Sequence, residues 1–355
     1  MSSSPTEIRL TLEPAGRFEA IDVTKRLAKE AGDLLGHHRK AFYTSLHTTA
    51  GYLGSSLSAR LHHRSDRLDL FFAAFRTLFP PDAAYRHDQM HLRSELSEEQ
   101  REREPRNGDS HLTFIGSGMR NAVTYRNRPD TPVYFIDLDG TTAGGRRQRT
   151  TSVVAYDEEE VVDRVTLAVP VSRHPIDSVN LADPRLGIVE AINERLCRAG
   201  LEKGRVDLVL PADERHAGLT VNEYETLLMQ HDLVEVLRNP IKFAALKSRH
   251  ILDDPLAIPS KTINYAKYDF VQVLNSLMEA FRLSESAVER LLAKLMALPA
   301  ERFLRTRRVS FLASDHDCRG RACVVRGQYQ SPILVQWKPA PGQARTVELR
   351  LVRLR

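Results

Sequence analysis

Apolar and polar residues alternate with helical spacing in two segments of the first half of the chain. In residues 19–35 the apolar side chains recur three to four positions apart, and Gly36 follows as a stop signal. Residues 66–79 repeat this pattern and run into Pro80, which cannot continue a helix. Both segments are therefore predicted to form amphipathic helices that pack one face against a core.

Shorter apolar and β-branched runs predict strands around these helices. In the first half they lie at 40–46, 111–116, 132–140 and 149–156. The polar residues 92–110 contain proline, asparagine and glycine and predict a long loop, which in a compact domain often carries function.

The acidic run at 157–160 marks a change in composition, and we place a domain boundary between 160 and 178. The segments predicted beyond it are strands at 165–171 and 206–212, a helix at 184–199, further helices at 268–281 and 286–298, the second with Ser284 as N-cap, and antiparallel strands after 305. The sequence thus predicts an α+β protein with two domains, residues 1–165 and 175–355.

Composition and charge narrow the class of protein. A chain of 355 residues can bury two cores without structural metals or disulfides. The net charge of +5 is mild, and the basic clusters at 146–149 and 305–308 carry no interleaved aromatic residues. We interpret both clusters as solvated charged faces, which argues against nucleic-acid binding.

Membrane and disulfide signals are weak. No apolar run approaches the roughly 20 residues of a membrane helix, and the first residues lack the apolar segment of a secretory signal, so we expect a cytoplasmic protein. The odd set of three cysteines argues against a disulfide framework, and we interpret Cys318 and Cys323 as structural or incidental thiols.

Three histidines border strand-like segments in the first half, at His47, His87 and His111. A lone histidine is more often a structural residue than a ligand. Three neutral imidazoles can nevertheless hold a zinc-like ion and leave one position open for water or substrate. Asp88 and Asp109 could then orient the rings. Spacing alone does not establish that the three histidines converge.

Six short motifs follow one another over the first half: SLHTTA at 45–50, YRHD at 85–88, DSHL at 109–112, GSG at 116–118, IDLDG at 136–140 and RRQR at 146–149. Each motif alone is weak, and their order and spacing give them weight. Together they resemble the YjbQ family of secondary thiamine-phosphate synthases, over roughly residues 15–155.

The resemblance implies an α+β domain with a mainly antiparallel sheet and flanking helices, assembled as a homotrimer, with the three histidines in one catalytic pocket. It also implies a transferase that joins pyrimidine and thiazole phosphates into thiamine phosphate and releases pyrophosphate. Pyrophosphate chemistry usually uses Mg²⁺ with oxygen ligands, whereas histidines favour a zinc-like ion. The histidines therefore either hold a divalent metal ion or bind phosphate and act as acid or base.

The resemblance also assigns a set of residues to the small phosphorylated substrate: Thr48, Thr49, Gly116, Ser117, Gly118, Arg147 and Arg149. Backbone N–H groups at 116–118 could bind a phosphate, although a simple turn is the alternative. Arg147 and Arg149 could grip phosphate oxygens bidentately, and as alternate residues of a strand they would share a face.

Two segments depart from the family pattern. Residues 129–132 replace its Gly-Thr-Trp-Gln, and residues 51–56 replace its Asn-Glu pair. Two functions stay open at this point. One is a divergent enzyme acting on a small phosphorylated or heterocyclic substrate. The other is a non-catalytic trimerisation and ligand-binding module whose biological role lies in the C-terminal domain.

Overall fold

The computed structural model describes residues 4–142, 145–238, 243, 303–304, 306–315 and 322–355. The helices are α1 Val23–Ala31, α2 Ser55–Arg60, α3 Ser65–Leu78, α4 Glu98–Arg103, α5 Gly108–Gly116, α6 Ile188–Arg198 and α7 Leu233–Arg238, with short 3-10 turns at Leu34–His37, Met90–Leu92, Pro184–Leu186 and Pro341–Gln343 and a π-helical turn at Leu228–Asp232.

The strands are β1 Thr6–Leu12, β2 Glu19–Asp22, β3 Lys40–Ser45, β4 Ala50–Gly51, β5 Ala122–Arg126, β6 Tyr134–Asp137, β7 Thr141–Thr142, β8 Gly145–Arg146, β9 Arg149–Tyr156, β10 Glu159–Pro170, β11 Asp177–Asn180, β12 Lys203–Val209, β13 Ala217–Asn222, β14 Arg308–Ser314, β15 Cys323–Val325, β16 Ser331–Gln336 and β17 Ala344–Leu354. The predicted α+β class is confirmed, because helices accompany sheets whose described pairings are all antiparallel.

Contacts divide the chain into two units. The first unit comprises Met1–Leu57, Gly118–Tyr224 and Leu304–Arg355, and the second unit comprises Ser58–Ser117 and Glu225–Phe303. This division differs from the predicted domains, residues 1–165 and 175–355.

A four-stranded sheet of the first unit has the order β1-β9-β3-β5, and its central strands β9 and β3 are buried on both faces. Tyr43 and Val153 face one core with α1, whereas their neighbours Phe42 and Val154 face another. Successive side chains of a strand point to opposite faces, so apolar residues at every position give β3 and β9 two buried sides.

A five-stranded sheet, in the order β10-β17-β12-β14-β15, packs against α6. Leu312 and Val352 of this sheet join Phe42 and Val154 of the first sheet in one apolar cluster. Strand pairing therefore changes partners between Tyr156 and Glu159, close to the predicted boundary, while the core continues across it.

The second unit contains α3, α4, α5 and α7. The predicted helix at 66–79 is confirmed as α3, which buries Phe71 and Phe72. At the end of α3 the ring of Phe79 lies edge-on to those of Phe243 and Phe303. Aromatic side chains thus pack together in the described part of this core.

Three sequence predictions are wrong in part. Residues 19–22 form β2 rather than helix, because they pair with β6 and Asp22 then caps α1 by accepting from Lys25 N. The predicted loop at 92–110 contains α4, which a capping box between Ser97 and Gln100 starts. Residues 111–116, predicted as a strand, lie in α5.

The predicted helices at 268–281 and 286–298 lie outside the described residues. Cys197 is a free thiol. Cys323 is disulfide-bonded, so the prediction of a structural or incidental thiol there is wrong; its partner is outside the described residues. In the described ranges, no helix is long and apolar enough to cross a membrane.

Candidate functional site

His47 lies in residues 46–49, which we call the histidine loop and which connects β3 to β4 in the first unit. The hydroxyl of Ser45 donates to Ala50 O at 2.7 Å and accepts from His47 N at 3.2 Å, so it ties the two ends of the loop together. The ring then meets β9, where Nε2 of His47 accepts a hydrogen bond of 2.7 Å from Thr150 N.

This hydrogen bond fixes the chemistry of the imidazole. Burial lowers the pKa of His47 to about 3, and the positive charges of Arg149 and Arg147 act in the same direction. The ring is therefore neutral, its Nε2 lone pair is used by Thr150, and its proton sits on Nδ1. In the described part of the chain Nδ1 has no hydrogen-bond partner. His47 is thus a donor at Nδ1 and a poor general base.

Arg149 opens β9 and is buried against the IDLDG turn. Its Nε and Nη2 contact the two carboxylate oxygens of Asp137 at 2.5 and 2.9 Å, and Nη2 also donates to Asp139 O at 2.6 Å. Its exposed fraction is only 3%. A buried bidentate pair of this kind joins β9 to β6, and the geometry gives no support to the predicted role of Arg149 in gripping phosphate.

Arg147 precedes β9, so the two arginines do not share a strand face as predicted. Its Nη2 lies 3.0 Å from Asp139 Oδ2, and its side chain is 25% exposed. Its Nε is buried and has no hydrogen-bond partner among the residues that the structure describes. A buried N–H that lacks a partner costs about 1–3 kcal/mol, and such a group calls for an explanation such as a ligand.

The two threonines of the histidine loop differ. Thr49 is 2% exposed, and its carbonyl accepts from Leu138 N at 3.1 Å, which places it in the fold. The Thr48 hydroxyl has no hydrogen-bond partner in the described ranges, and this residue is half-buried. Thr48 is therefore the better candidate of the pair for contact with a substrate.

His87 lies in the second unit and is completely buried. Its Nδ1 lies 3.1 Å from Glu225 Oε2 and its Nε2 lies 3.1 Å from Asn107 Oδ1. An ionised Glu225 can only accept a hydrogen bond, so the Nδ1 that faces it carries a proton. Asp232 holds the backbone beneath it by accepting from His87 N at 2.9 Å.

Glu225 is the hydrogen-bond partner of His87 Nδ1. Burial alone would raise the pKa of Glu225, but hydrogen bonds from His87 and from the backbone N–H groups of Leu227 and Leu228 outweigh burial and hold that pKa below its ordinary value. The carboxylate of Glu225 is therefore ionised. Glu225 and Asp232 belong to the second half of the chain, and no sequence motif pointed to them.

His111 lies in the first turns of α5, and its ring is 5.0 Å from that of His87, edge to face. The aspartates predicted to orient these rings have other contacts. Asp88 accepts from Gly108 N at 3.0 Å and so caps α5. Asp109 is buried, 3.5 Å from the Ser110 hydroxyl.

The residues do not fit a three-histidine metal site. The Nε2 lone pair of His47 already accepts from Thr150 N, and both ring nitrogens of His87 are engaged with the side chains of Glu225 and Asn107, so neither ring offers a lone pair to an ion in this arrangement. Across the described ranges, no group of three or more His, Cys, Asp or Glu side chains could hold a metal ion. That His47 meets His87 and His111 in one pocket stays a prediction.

The Gly116-Ser117-Gly118 motif ends a helix. Ser117 is the C-cap of α5, its N–H donates to Thr113 O, and Gly118 has a φ of +74°. The C-terminus of a helix carries partial negative charge, which disfavours phosphate. The predicted phosphate contact therefore gains no support, and the turn is the better interpretation of this glycine pair.

A cavity of about 700 Å³ opens elsewhere in the first unit, between α1 and the segment 126–134. Tyr43 reaches it from β3, and Asp22 and Lys25 stand beside it. None of the predicted site residues lines this cavity, so it is separate from the histidine loop.

Sequence reasoning missed two amides that hold the histidine loop. Gln330 Nε2 donates to Ser45 O at 2.9 Å and to His47 O at 2.8 Å. Asn222 Nδ2 donates to Thr48 O at 3.3 Å. Both residues lie far along the chain, and an isolated amide residue carries no sequence signal.

Comparison with known proteins gives structural likeness only. No family model matches the chain, and no match was found among curated proteins. A YbjQ-like protein of unknown function from Sulfolobus solfataricus is 14% identical, with 55% of this chain and 99% of that chain covered and a TM-score of 0.29.

A hypothetical protein from Aeropyrum pernix is also 14% identical, covering 53% of this chain and 97% of that one, with a TM-score of 0.29. An uncharacterised protein of the yjbq/upf0047 family from Clostridium acetobutylicum is 11% identical, covering 53% and 98%, with a TM-score of 0.26. At identities of 14% or less and TM-scores of 0.29 or less, these matches carry no argument about the fold or the activity of this chain.

Proposed function

We propose that this chain is a YjbQ-type enzyme that binds a small phosphorylated substrate at the histidine loop, through His47 and Arg147. The observation that carries the proposal is the buried Nε–H of Arg147, which has no partner in the described ranges. The charge of this guanidinium acts on His47, whose Nδ1–H is the second donor. Two N–H donors that lack protein acceptors suit an anion.

In this proposal His47 acts as a neutral donor. Its Nδ1–H would stabilise negative charge on a phosphate oxygen, while the Thr150 hydrogen bond fixes the tautomer. Arg147 would supply the positive charge and the second hydrogen bond. Arg149 holds the IDLDG turn against β9 and touches no substrate.

Among phosphorylated substrates, the motif resemblance favours the pyrimidine and thiazole phosphates that are joined into thiamine phosphate. That reaction releases pyrophosphate, and its developing charge needs donors of the kind that His47, Thr48 and Arg147 offer. No step is assigned to a metal ion, because the histidine geometry does not fit one.

Calorimetric titration of pyrophosphate into wild type, Arg147→Lys and Arg149→Lys tests the binding site. Lysine keeps the charge but lacks the Nε donor. A charge-assisted hydrogen bond contributes roughly 1.5–3 kcal/mol, so Arg147→Lys should weaken binding about tenfold or more. Arg149→Lys should instead lower the free energy of unfolding. Equal affinities of wild type and Arg147→Lys would contradict the proposal.

Turnover separates the enzyme from a binding module. Wild-type protein is incubated with the pyrimidine diphosphate and the thiazole phosphate, and released pyrophosphate is measured. Release that Arg147→Lys abolishes supports the transferase. Pyrophosphate binding without release favours the non-catalytic ligand-binding module.

A further inference from the structure

Both polar atoms of the Gln330 side chain are hydrogen-bonded, and Nε2 holds the histidine loop. It is 1% exposed, and Nε2 donates one hydrogen bond to Ser45 O and one to His47 O. Its Oε1 accepts from Gly327 N at 3.0 Å, and its own N–H donates to Gly327 O at 3.1 Å. The amide is therefore fixed before it meets the loop.

The turn at 327–330 approaches the loop more closely than a side chain would allow. A Cβ on Gly327 would lie 1.8 Å from Leu46 O. Asn222, which is fully buried, adds its hydrogen bond to Thr48 O. Carbonyls at 45, 47 and 48 thus find their donors in residues beyond 220 rather than in a local turn.

We propose that the second half of the chain completes the histidine-loop site, and that Gln330 is a positioning residue which sets His47 against Thr150 N. The two carbonyls that Gln330 holds, Ser45 O and His47 O, lie on either side of the backbone nitrogen and Cα of His47. The amide of Gln330 therefore determines the position from which the His47 side chain extends. The part of the proposal that concerns substrate affinity rests on the proposed function.

The position of the His47 ring controls the tautomer of its imidazole. The 2.7 Å hydrogen bond between Thr150 N and Nε2 is what keeps the proton of His47 on Nδ1. If the loop loses Gln330, two carbonyls lose their donors and the loop must shift to reach water or other groups. The ring then leaves Thr150, both tautomers become populated and the imidazole becomes easier to protonate.

The chain offers a matched control in Gln336, also 1% exposed. Its Nε2 donates to Ser172 O at 3.1 Å and His174 O at 2.9 Å, and its Oε1 accepts from Arg345 Nε at 3.0 Å. Both glutamines thus hold two carbonyls two residues apart. Gln330→Met and Gln336→Met keep the side-chain length and remove the same number of donors, so a merely structural role predicts equal effects.

The experiment uses full-length protein with ¹⁵N-labelled histidine, with the His47 signal assigned by its loss in His47→Gln. In wild type and Gln336→Met, the spectrum should report the Nδ1–H tautomer and stay unchanged down to about pH 4. In Gln330→Met the ring should exchange between tautomers and titrate near the ordinary 6.5. Pyrophosphate affinity should fall about tenfold in Gln330→Met and stay within about twofold in Gln336→Met.

Asn222→Ala is the milder second variant, with a smaller shift in the same direction, and it serves if Gln330→Met fails to fold. An unchanged His47 tautomer and titration in folded Gln330→Met, or in Asn222→Ala where it is the only folded variant, would overturn the positioning role. Absence of pyrophosphate binding by wild type would remove the proposed function, whereas the tautomer measurement would still decide the role of Gln330.

Discussion

At the scale of single residues, environment decides what each predicted site residue can do. Arg147 and Arg149 are two positions apart, yet Arg149 is buried against Asp137, whereas Arg147 keeps a buried N–H that has no partner in the described part of the chain. Both motifs, RRQR and IDLDG, are visible in the sequence. It could not predict how arginines and aspartates divide into pairs, because that depends on the register of β9 against the turn.

The lowered pKa of His47 predicts a pH dependence of stability. Below its ordinary 6.5 the unfolded chain takes up a proton on His47, whereas the folded protein resists it down to about 3. Proton uptake therefore stabilises the unfolded state as the pH falls through this window. Between pH 6.5 and 5 it should lower the free energy of unfolding by about 2 kcal/mol. Urea denaturation of wild type and His47→Gln at both pH values measures this, and equal pH slopes would contradict it.

Gly327 should be intolerant of a side chain. Its Cβ would meet Leu46 O at 1.8 Å, whereas a Cβ on Gly16 meets only Phe18 O at 3.6 Å. We expect Gly327→Ala to destabilise the protein by about 1–3 kcal/mol, as overpacked sites do. Gly16→Ala is the matched control. Chemical denaturation should give it a free energy of unfolding that is within about 0.5 kcal/mol of the wild-type value or higher than that value.

At the scale of elements, α5 is the clearest departure from prediction. Residues 111–116 contain the β-branched and aromatic run Thr113-Phe114-Ile115, which favours a strand. Their N-terminal turn is instead fixed from outside the helix, because Asp88 accepts from Gly108 N. A cap twenty residues away is invisible to local pattern, whereas α3 and β9 carry their signals within themselves.

Loss of the Asp88 cap should therefore destabilise α5. Asp88→Ala removes the acceptor for Gly108 N and should cost about 1 kcal/mol of unfolding free energy. Asp88→Asn retains an oxygen at the same place and should cost less. Differential scanning calorimetry of the three proteins checks the order, and a Tm of Asp88→Ala equal to that of wild type would refute the capping role.

At the scale of the whole molecule, the antiparallel strands of the C-terminal stretch were predictable, since β14, β16 and β17 are apolar runs separated by turn residues. Their order in the sheets was not predicted. The partition into units was not predictable. It follows from contacts between segments far apart in sequence, such as the cluster of Phe42 with Leu312 and Val352. An apolar pattern predicts that a side chain is buried, but it does not predict which segment of the chain that side chain packs against.

The trimer stays a prediction that rests on the motif resemblance. If the first half assembles as the resemblance implies, sedimentation equilibrium at micromolar concentrations should return about three times the 40.2 kDa chain mass. A monomer across that range would rule it out.

The place of β17 in its sheet has a consequence for how the protein is made. β17 follows every other described strand in sequence but lies second in the sheet, between β10 and β12. On the ribosome, β10 therefore emerges well before the strand that covers its backbone, and its pairing waits until residue 354 has left the exit tunnel. Strand edges left open for that time invite association with other chains. We therefore expect the yield of folded protein to depend more on chaperones during synthesis than during refolding from denaturant at high dilution.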